Sequence, residues 1–301
     1  MSSLRMVPRP TFPAFLLLLS LCGVTIYNGL RQGNLSNYIR RMKAIQSNPF
    51  ITFIVPSLLR DTLPDTLESI TTQSDPNWEA LVGVDIDVLS KVWSDSETFK
   101  KTYRTDSSLS KGATFFPPIE DSRVRLSLIR EAEHVSHNSA GAVRNRLMES
   151  AKGEWLAFVD DDDTVNPCFT EWLKRGVNKA IQDSGEGNGP DLVLFRMQKD
   201  GIVIPALNSH EIVRGLAGIS FAMRRELFTE KGIKFDPSMD EDYRLMYQVY
   251  SEGNSVSIAN CVGYFVHGEE WDPKHRLCNV DGESTCQFVT SEVKQFYPDP
   301  E

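Results

Sequence analysis

The sequence predicts an α/β fold, a mostly parallel sheet with helices on both faces, preceded by one N-terminal transmembrane helix. Three observations lead there. Short apolar, β-branched runs alternate with segments of helical spacing from residue 50 onward. Acidic residues gather just after several of those runs, at Asp61, Asp85, Asp87 and Asp160 to Asp163. One uncharged apolar segment near the N-terminus is just long enough to cross a bilayer.

Residues 1–11 form a short tail and residues 12–30 the membrane segment, with no charge between Arg9 and Arg31. A cleaved signal peptide is the rival reading. It needs a shorter apolar core and a small-x-small site, and Gly23-Val24-Thr25 fits that poorly. An uncleaved signal-anchor is therefore expected, followed by a stem over 31–48. Arg5 and Arg9 precede the segment; Arg31, Arg40, Arg41 and Lys43 follow it. The positive-inside rule alone would leave the larger part in the cytosol, but only Arg31 is adjacent, so the charges do not fix the orientation. The expectation is a single-pass type II protein of the secretory pathway, in the Golgi or endoplasmic reticulum. The sequon Asn34-Leu35-Ser36 matters only in a lumenal chain.

From residue 49 the elements come in order. Phe50 to Val55 is a buried strand by length and β-branching, closed by Pro56 and Ser57. Thr62 to Gln73 is a helix, with Leu63, Leu67 and Ile70 on one side and Pro64 in its first turn. Trp78 to Val84 and Arg123 to Ile129 are strands. Between them, residues 88–120 are polar, show no clean period and read as a surface insertion. A helix from Ala140 to about Ala151, capped by Asn138 or Ser139, is followed by Gly153. Glu154 to Val159 is a fourth strand and Cys168 to Gln182 a helix. Ser184 to Pro190 is a loop of breakers. Asp191 to Met197 and Gly218 to Met223 are further strands. The folded domain spans 49–270, and 271–301 is a polar tail.

Composition sets limits. Of 301 residues, 41% are hydrophobic and 24% charged, as in a globular protein. A net charge of −9 argues against a nucleic-acid partner, because such domains carry excess Lys and Arg. Five cysteines form no CxxC pair, which disfavours a zinc site. In a lumenal chain Cys278 and Cys286, close in sequence, would pair, leaving Cys168 and Cys261 as buried thiols.

The run Asp160-Asp-Asp-Asp163 needs a reason, since adjacent like charges repel. A solvated loop capping the next helix is one reading. A calcium loop is another: Asp160, Asp162, Thr164 and Glu171 match its spacing, but Val165 stands where the turn needs Gly. The third is a divalent cation, Mn²⁺ or Mg²⁺, held by Asp160 and Asp162, because alternate residues of an extended chain face one way. Ligands of open α/β sheets bind beyond the carboxyl ends of the strands, where these acids fall.

Taken together, Ile51 to Ser57, Trp78 to Asp85, Ala140-Gly-Ala-Val-Arg-Asn145 and Phe158-Val-Asp-Asp-Asp-Asp163 resemble family 2 glycosyltransferases of the Rossmann-like GT-A fold. Gly218 to Phe228 looks like that family's acceptor-side strand and helix, Met239 to Leu245 like its ED motif, and Val262 to His267 like its closing strand and histidine. The resemblance covers about residues 50–268. It implies metal-dependent transfer of a sugar from a nucleoside-diphosphate sugar, a UDP-sugar, to a hydroxyl of a glycan, lipid or protein acceptor.

Roles follow from the resemblance residue by residue. Pro56, Ser57, Arg60 and Asp61 would hold the base and ribose with Asp85, and less so Asp87. Arg144, in the first turns of a helix with Asn145, would face the pyrophosphate. Asp160 would meet ribose and metal, and Asp162 and His267 the metal, while Asp161 and Asp163 support or cap. Asp242 would take the acceptor's proton, supported by Glu241, giving inversion of the anomeric centre; the bland alternative is that Asp240 to Asp242 cap a helix over Tyr243 to Tyr250.

Departures narrow the reading. Arg244 and Gln248 stand where the family often has an acid and an Arg, and the Q-x-x-R-W signature of processive polymerases is absent. One apolar segment is too few for an extrusion channel, so addition of one sugar or a few is expected. A sugar-nucleotide pyrophosphorylase would need a Gly-rich basic loop where Pro56-Ser-Leu-Leu-Arg60 stands. A catalytically inactive nucleotide-sugar or carbohydrate-binding relative is the remaining alternative.

Overall fold

In the computed structural model, residues 48–85, 121–129, 139–184, 189–207, 209–215, 217–236, 240–267, 286, 288–289 and 295–296 are described. The expected membrane segment, the sequon, Asp87, the insertion at 88–120 and Cys278 lie outside them. Among the described residues no helix is long and apolar enough to cross a membrane.

Alternation of strand and helix is as the apolar pattern requires: β1 (Ile51–Ser57), α1 (Leu63–Thr71), β2 (Trp78–Asp85), β3 (Val124–Ile129), α2 (Ser139–Ser150), β4 (Trp155–Phe158), β5 (Thr164–Val165), α3 (Phe169–Ser184), β6 (Leu192–Lys199), β7 (Ile202–Ile204), β8 (Glu211–Ile212), β9 (Phe221–Arg224), α4 (Arg225–Thr229), α5 (Glu241–Ser251), β10 (Val256–Phe265), β11 (Phe288–Val289) and β12 (Gln295–Phe296). The main sheet runs β11-β10-β6-β9-β4-β1-β2-β3. All seven residues of β1 and all eight of β2 are buried, so these strands read as continuous apolar runs without alternation.

Strands β1, β2, β3 and β4 are parallel, as are β6 and β10. Strand β9 enters between β4 and β6 antiparallel to both. The sheet is therefore mixed, which corrects the mostly parallel arrangement to this extent: β9 and β11 reverse, and the other six strands of the path share one direction. A strand buried on both faces carries no sequence record of its direction, so β9 looked like the rest. It also begins at Phe221; the residues from Gly218 lead into it, with Ser220 Oγ donating to Phe195 O at 2.8 Å.

Helices cover both faces. On one, α2 lies so close to β2 that a Cβ on Gly83 would come within 2.7 Å of Val143. On the other, Phe53 of β1 meets Phe169 of α3 with ring centroids 5.9 Å apart. Each large apolar side chain so buried contributes about 1.5–3 kcal/mol. These layers hold the carboxyl ends of β1, β2, β4 and β10 rigidly along one edge.

The C-terminal tail is not wholly outside the fold. Strand β11 pairs with β10, placing Phe288 opposite Ala259 and packing it against Phe195. That pairing brings Cys286 to Cys261, and these two form a disulfide with Cα atoms 5.2 Å apart. Cys168 is disulfide-bonded as well. The expected Cys278–Cys286 bridge and the two free thiols are thus corrected: strand pairing, not nearness in sequence, selects the partner of Cys286.

Candidate active site

At the end of β1 the chain wraps around a single buried carboxylate. Asp161 accepts from Ser57 Oγ at 2.8 Å, from Leu58 N at 2.7 Å and from Arg60 Nη1 at 2.8 Å. Thr62 Oγ1 donates to its carbonyl at 2.8 Å. To close this loop Leu59 adopts φ 58°, a left-handed conformation that a branched side chain disfavours. Asp161 is therefore the post on which the β1 loop is wound. The hydroxyl of Ser57, expected at the nucleotide, is committed to it and also accepts from Leu59 N.

Asp163 fastens the other side. It accepts from Tyr264 Oη at 2.7 Å and from His267 N at 2.8 Å, and Asp160 N donates to the same Tyr264 hydroxyl at 3.1 Å. Burial pushes the Asp163 carboxyl up to about 6, against the pull of those hydrogen bonds. His267 has φ 54°, so backbone strain stands on both sides of the four aspartates. Its Nδ1 lies 3.3 Å from Asp162 Oδ2, and Arg60 Nη1 reaches that same oxygen at 2.8 Å.

Asp162, Asp163 and His267 each bring one ligand atom within 4.8 Å of the others. Two carboxylates and an imidazole fit a borderline-hard divalent cation such as Mn²⁺. The sequence reading put Asp160 in this set and Asp163 in a supporting place; here Asp163 stands with Asp162 and His267.

Asp160 turns instead toward Arg144. The Arg144 guanidinium, 3% exposed, bonds Asp160 through one nitrogen and Glu241 through the other, and lies 3.8 Å from Asp242 Oδ1. Burial opposes its charge, but Asp160, Asp242 and Glu241 overcome that and hold its pKa above the ordinary arginine value. The carboxylates fare differently. Burial raises Glu241 to about 7 and Asp242 to about 6 against the pull of Arg144, and neighbouring carboxylates, Asp160 among them, add to the rise. Arg144 is thus a bridge between the acidic run and the ED pair.

Close approach makes this bridge possible. A Cβ on Gly141 would lie 2.1 Å from Glu241 Oε2, so the carboxylate rests on the first turn of α2, where the helix dipole favours it. Asn145 secures the neighbouring segment by donating to Phe235 O and accepting from Phe235 N, both at 2.9 Å. Glu241 Oε2, Asp242 Oδ1 and Arg144 Nε make no hydrogen bond among the described residues. The two carboxylate oxygens are buried acceptors and the Nε–H a buried donor, groups that folded proteins ordinarily pair.

Of the remaining expected residues, Pro56 is buried within β1 opposite Gly83, Asp85 is buried at the end of β2, and Asp61 is exposed. Arg60, Asp160, Asp162, His267, Arg144, Glu241 and Asp242 come together. Tyr264 was missed. Its signal was a tyrosine inside a buried strand, whose hydroxyl must find a partner.

No protein-family model matches the chain. Among curated proteins it is 27% identical over 136 residues to the one named teichuronic acid biosynthesis glycosyltransferase TuaG of Bacillus subtilis (strain 168), covering 44% of this chain and 41% of that protein. It is 24% identical over 248 residues to succinoglycan biosynthesis protein ExoO of Rhizobium meliloti (strain 1021), covering 75% and 63%. The matches span less than two thirds of these relatives' lengths. Among solved structures it is similar to S. aureus TarS 1-349 in complex with UDP-GlcNAc, at 18% identity and TM-score 0.47, covering 74% of this chain and 59% of that one. A mannosyltransferase from Pyrobaculum calidifontis, in complex with GDP-Man and Mn²⁺, shows 16% identity and TM-score 0.45 over 78% and 65%. The sequence likeness is thus to bacterial glycosyltransferases and a polysaccharide biosynthesis protein, with the structural likeness partial.

Proposed function

We propose that this chain is a glycosyltransferase that moves a sugar from a nucleoside-diphosphate sugar to an acceptor hydroxyl. One observation carries the reading. Two groups of carboxylates from distant parts of the chain, Asp160 to Asp163 and Glu241–Asp242, meet at the carboxyl edge of the sheet and are joined by a buried arginine. A structural cap on α5 needs no such junction. The curated relatives named glycosyltransferases support it.

Asp162, Asp163 and His267 would hold the divalent cation, which when bound neutralises charge on the departing diphosphate. The protein does the rest. Asp242, 28% exposed beside a buried neighbour, is reachable by an acceptor and takes its proton on the carboxylate, whose Oδ1 is buried on the Arg144 side. Glu241 and Arg144 hold Asp242 in place and keep Asp160 turned to the donor side. A base on the acceptor side and charge neutralisation on the donor side imply direct displacement with inversion.

The Cys261–Cys286 disulfide supports a chain that folds in an oxidising compartment, in keeping with a type II anchor at residues 12–30. The reading is tested by incubating the protein with UDP- and GDP-sugars, with Mn²⁺, Mg²⁺ or EDTA, and measuring nucleoside diphosphate released. Metal-dependent release from at least one donor is expected. Binding of a donor with no release under any condition would favour an inactive relative.

A further inference from the structure

The four aspartates carry their own counter-ions, and the two differ. Arg144 is enclosed. Arg60 is 44% exposed, at the mouth of the loop after β1, with Nη1 at 2.8 Å from both Asp161 Oδ1 and Asp162 Oδ2. The Asp162 oxygen it holds is the same one that faces His267 Nδ1 at 3.3 Å. That oxygen therefore has two claimants: the guanidinium, and any cation held between Asp162, Asp163 and His267.

We propose that Arg60 is a resident counter-ion of Asp162, and that a divalent cation binds by displacing it from that carboxylate. The inference rests on the metal reading of the site and goes beyond it, by giving Arg60 a role opposed to metal binding where the sequence suggested nucleotide binding. Three observations favour displacement over sharing. A guanidinium and a divalent cation on one oxygen repel each other strongly at a few ångström. Arg60 has solvent to move into. Asp161 would keep both donors to its Oδ2, Ser57 Oγ and Leu58 N, whichever way the guanidinium moves. In this way the loop keeps its shape while the acidic run exchanges one cation for another.

The consequence has an unusual sign: removing a charged residue from the site should improve metal binding. Mn²⁺ alone serves as the probe, with the free aquo ion measured by electron paramagnetic resonance and no nucleotide present. Arg60→Gln keeps an amide donor for Asp161 and removes the charge; it should bind Mn²⁺ at least about tenfold more tightly than the wild-type protein. Arg60→Lys keeps the charge and should stay within about threefold. Asp162→Asn, placed in the Arg60→Gln background, should abolish the gain and so locate the ion. Circular dichroism shows whether each variant is folded. Wild-type binding with equal or weaker binding in folded Arg60→Gln overturns the displacement and leaves the metal reading standing. Absence of Mn²⁺ binding in both proteins at millimolar ion overturns the metal reading and this inference with it.

Discussion

Two arginines face the same acidic run, and they stand in different surroundings. Arg144 is 3% exposed and joins Asp160 to Glu241, residues from the ends of β4 and the start of α5. Arg60 is 44% exposed and joins Asp161 to Asp162. Burial decides what each pairing is worth. A buried charge stripped of its partner costs several kcal/mol, whereas a half-exposed pair is screened by water. The first arginine therefore fixes the site's architecture, and the second is available for exchange.

The comparison breaks or sharpens on mutation. Arg144→Met should destabilise the protein by about 3–5 kcal/mol in chemical denaturation, since it leaves Glu241 buried without a cation and Asp160 without its partner. Arg60→Met should cost less, about 1–3 kcal/mol, because Arg60 is half-exposed but its removal takes a donor from the buried Asp161 Oδ1. Equal losses would contradict the distinction between strut and exchangeable ion.

A second test concerns the run itself. Asp162→Asn removes one of four adjacent charges and one metal ligand. Mn²⁺ binding should be lost, with Tm unchanged or higher, because repulsion falls. Retained affinity in calorimetry would take Asp162 out of the cation site.

The smaller effect is of pH. Glu241 and Asp242 have folded-state pKa values raised to about 7 and about 6, chiefly by burial. The folded state then binds those protons more tightly than the unfolded state. Their contribution to stability is full at low pH and is lost as pH rises through 6 to 7. Tm should be higher at pH 5 than at pH 8, and Glu241→Gln should flatten that dependence. A Tm that rises steadily over this range would mean that Arg144 dominates both acids. Removing residues 1–47 should change least of all: Pro49–Glu301 is a compact unit of its own, so the fragment should keep its circular dichroism spectrum.

Much of this was legible in the sequence, and the rest had physical reasons to be hidden. The strands β1, β2 and β4 announced themselves as short β-branched runs, and Gly141, Arg144 and Asn145 came as one motif. The direction of β9 did not, because a strand apolar on both faces reads the same either way. The division of labour within Asp160 to Asp163 was invisible too. Four identical residues carry no mark of which is wound into a loop, which is tied to Tyr264 and which is left half-exposed. That assignment belongs to partners far along the chain: Ser57 for Asp161, His267 and Tyr264 for Asp163, Arg144 for Asp160. The disulfide was misread for the same reason, since strand pairing brings Cys261 and Cys286 together across 25 residues.

The measurement that bears most directly on the central claim is made on Asp242→Asn. Asn caps a helix nearly as well as Asp, so a purely structural role at the start of α5 predicts a nearly normal protein. A base predicts donor affinity within a few-fold of wild type and turnover lowered by about 10²–10⁴. Both quantities are to be taken on one preparation, with the anomeric configuration of the product read by nuclear magnetic resonance. The account predicts that split and an inverted product; wild-type turnover in Asp242→Asn, or a product of retained configuration, would contradict it.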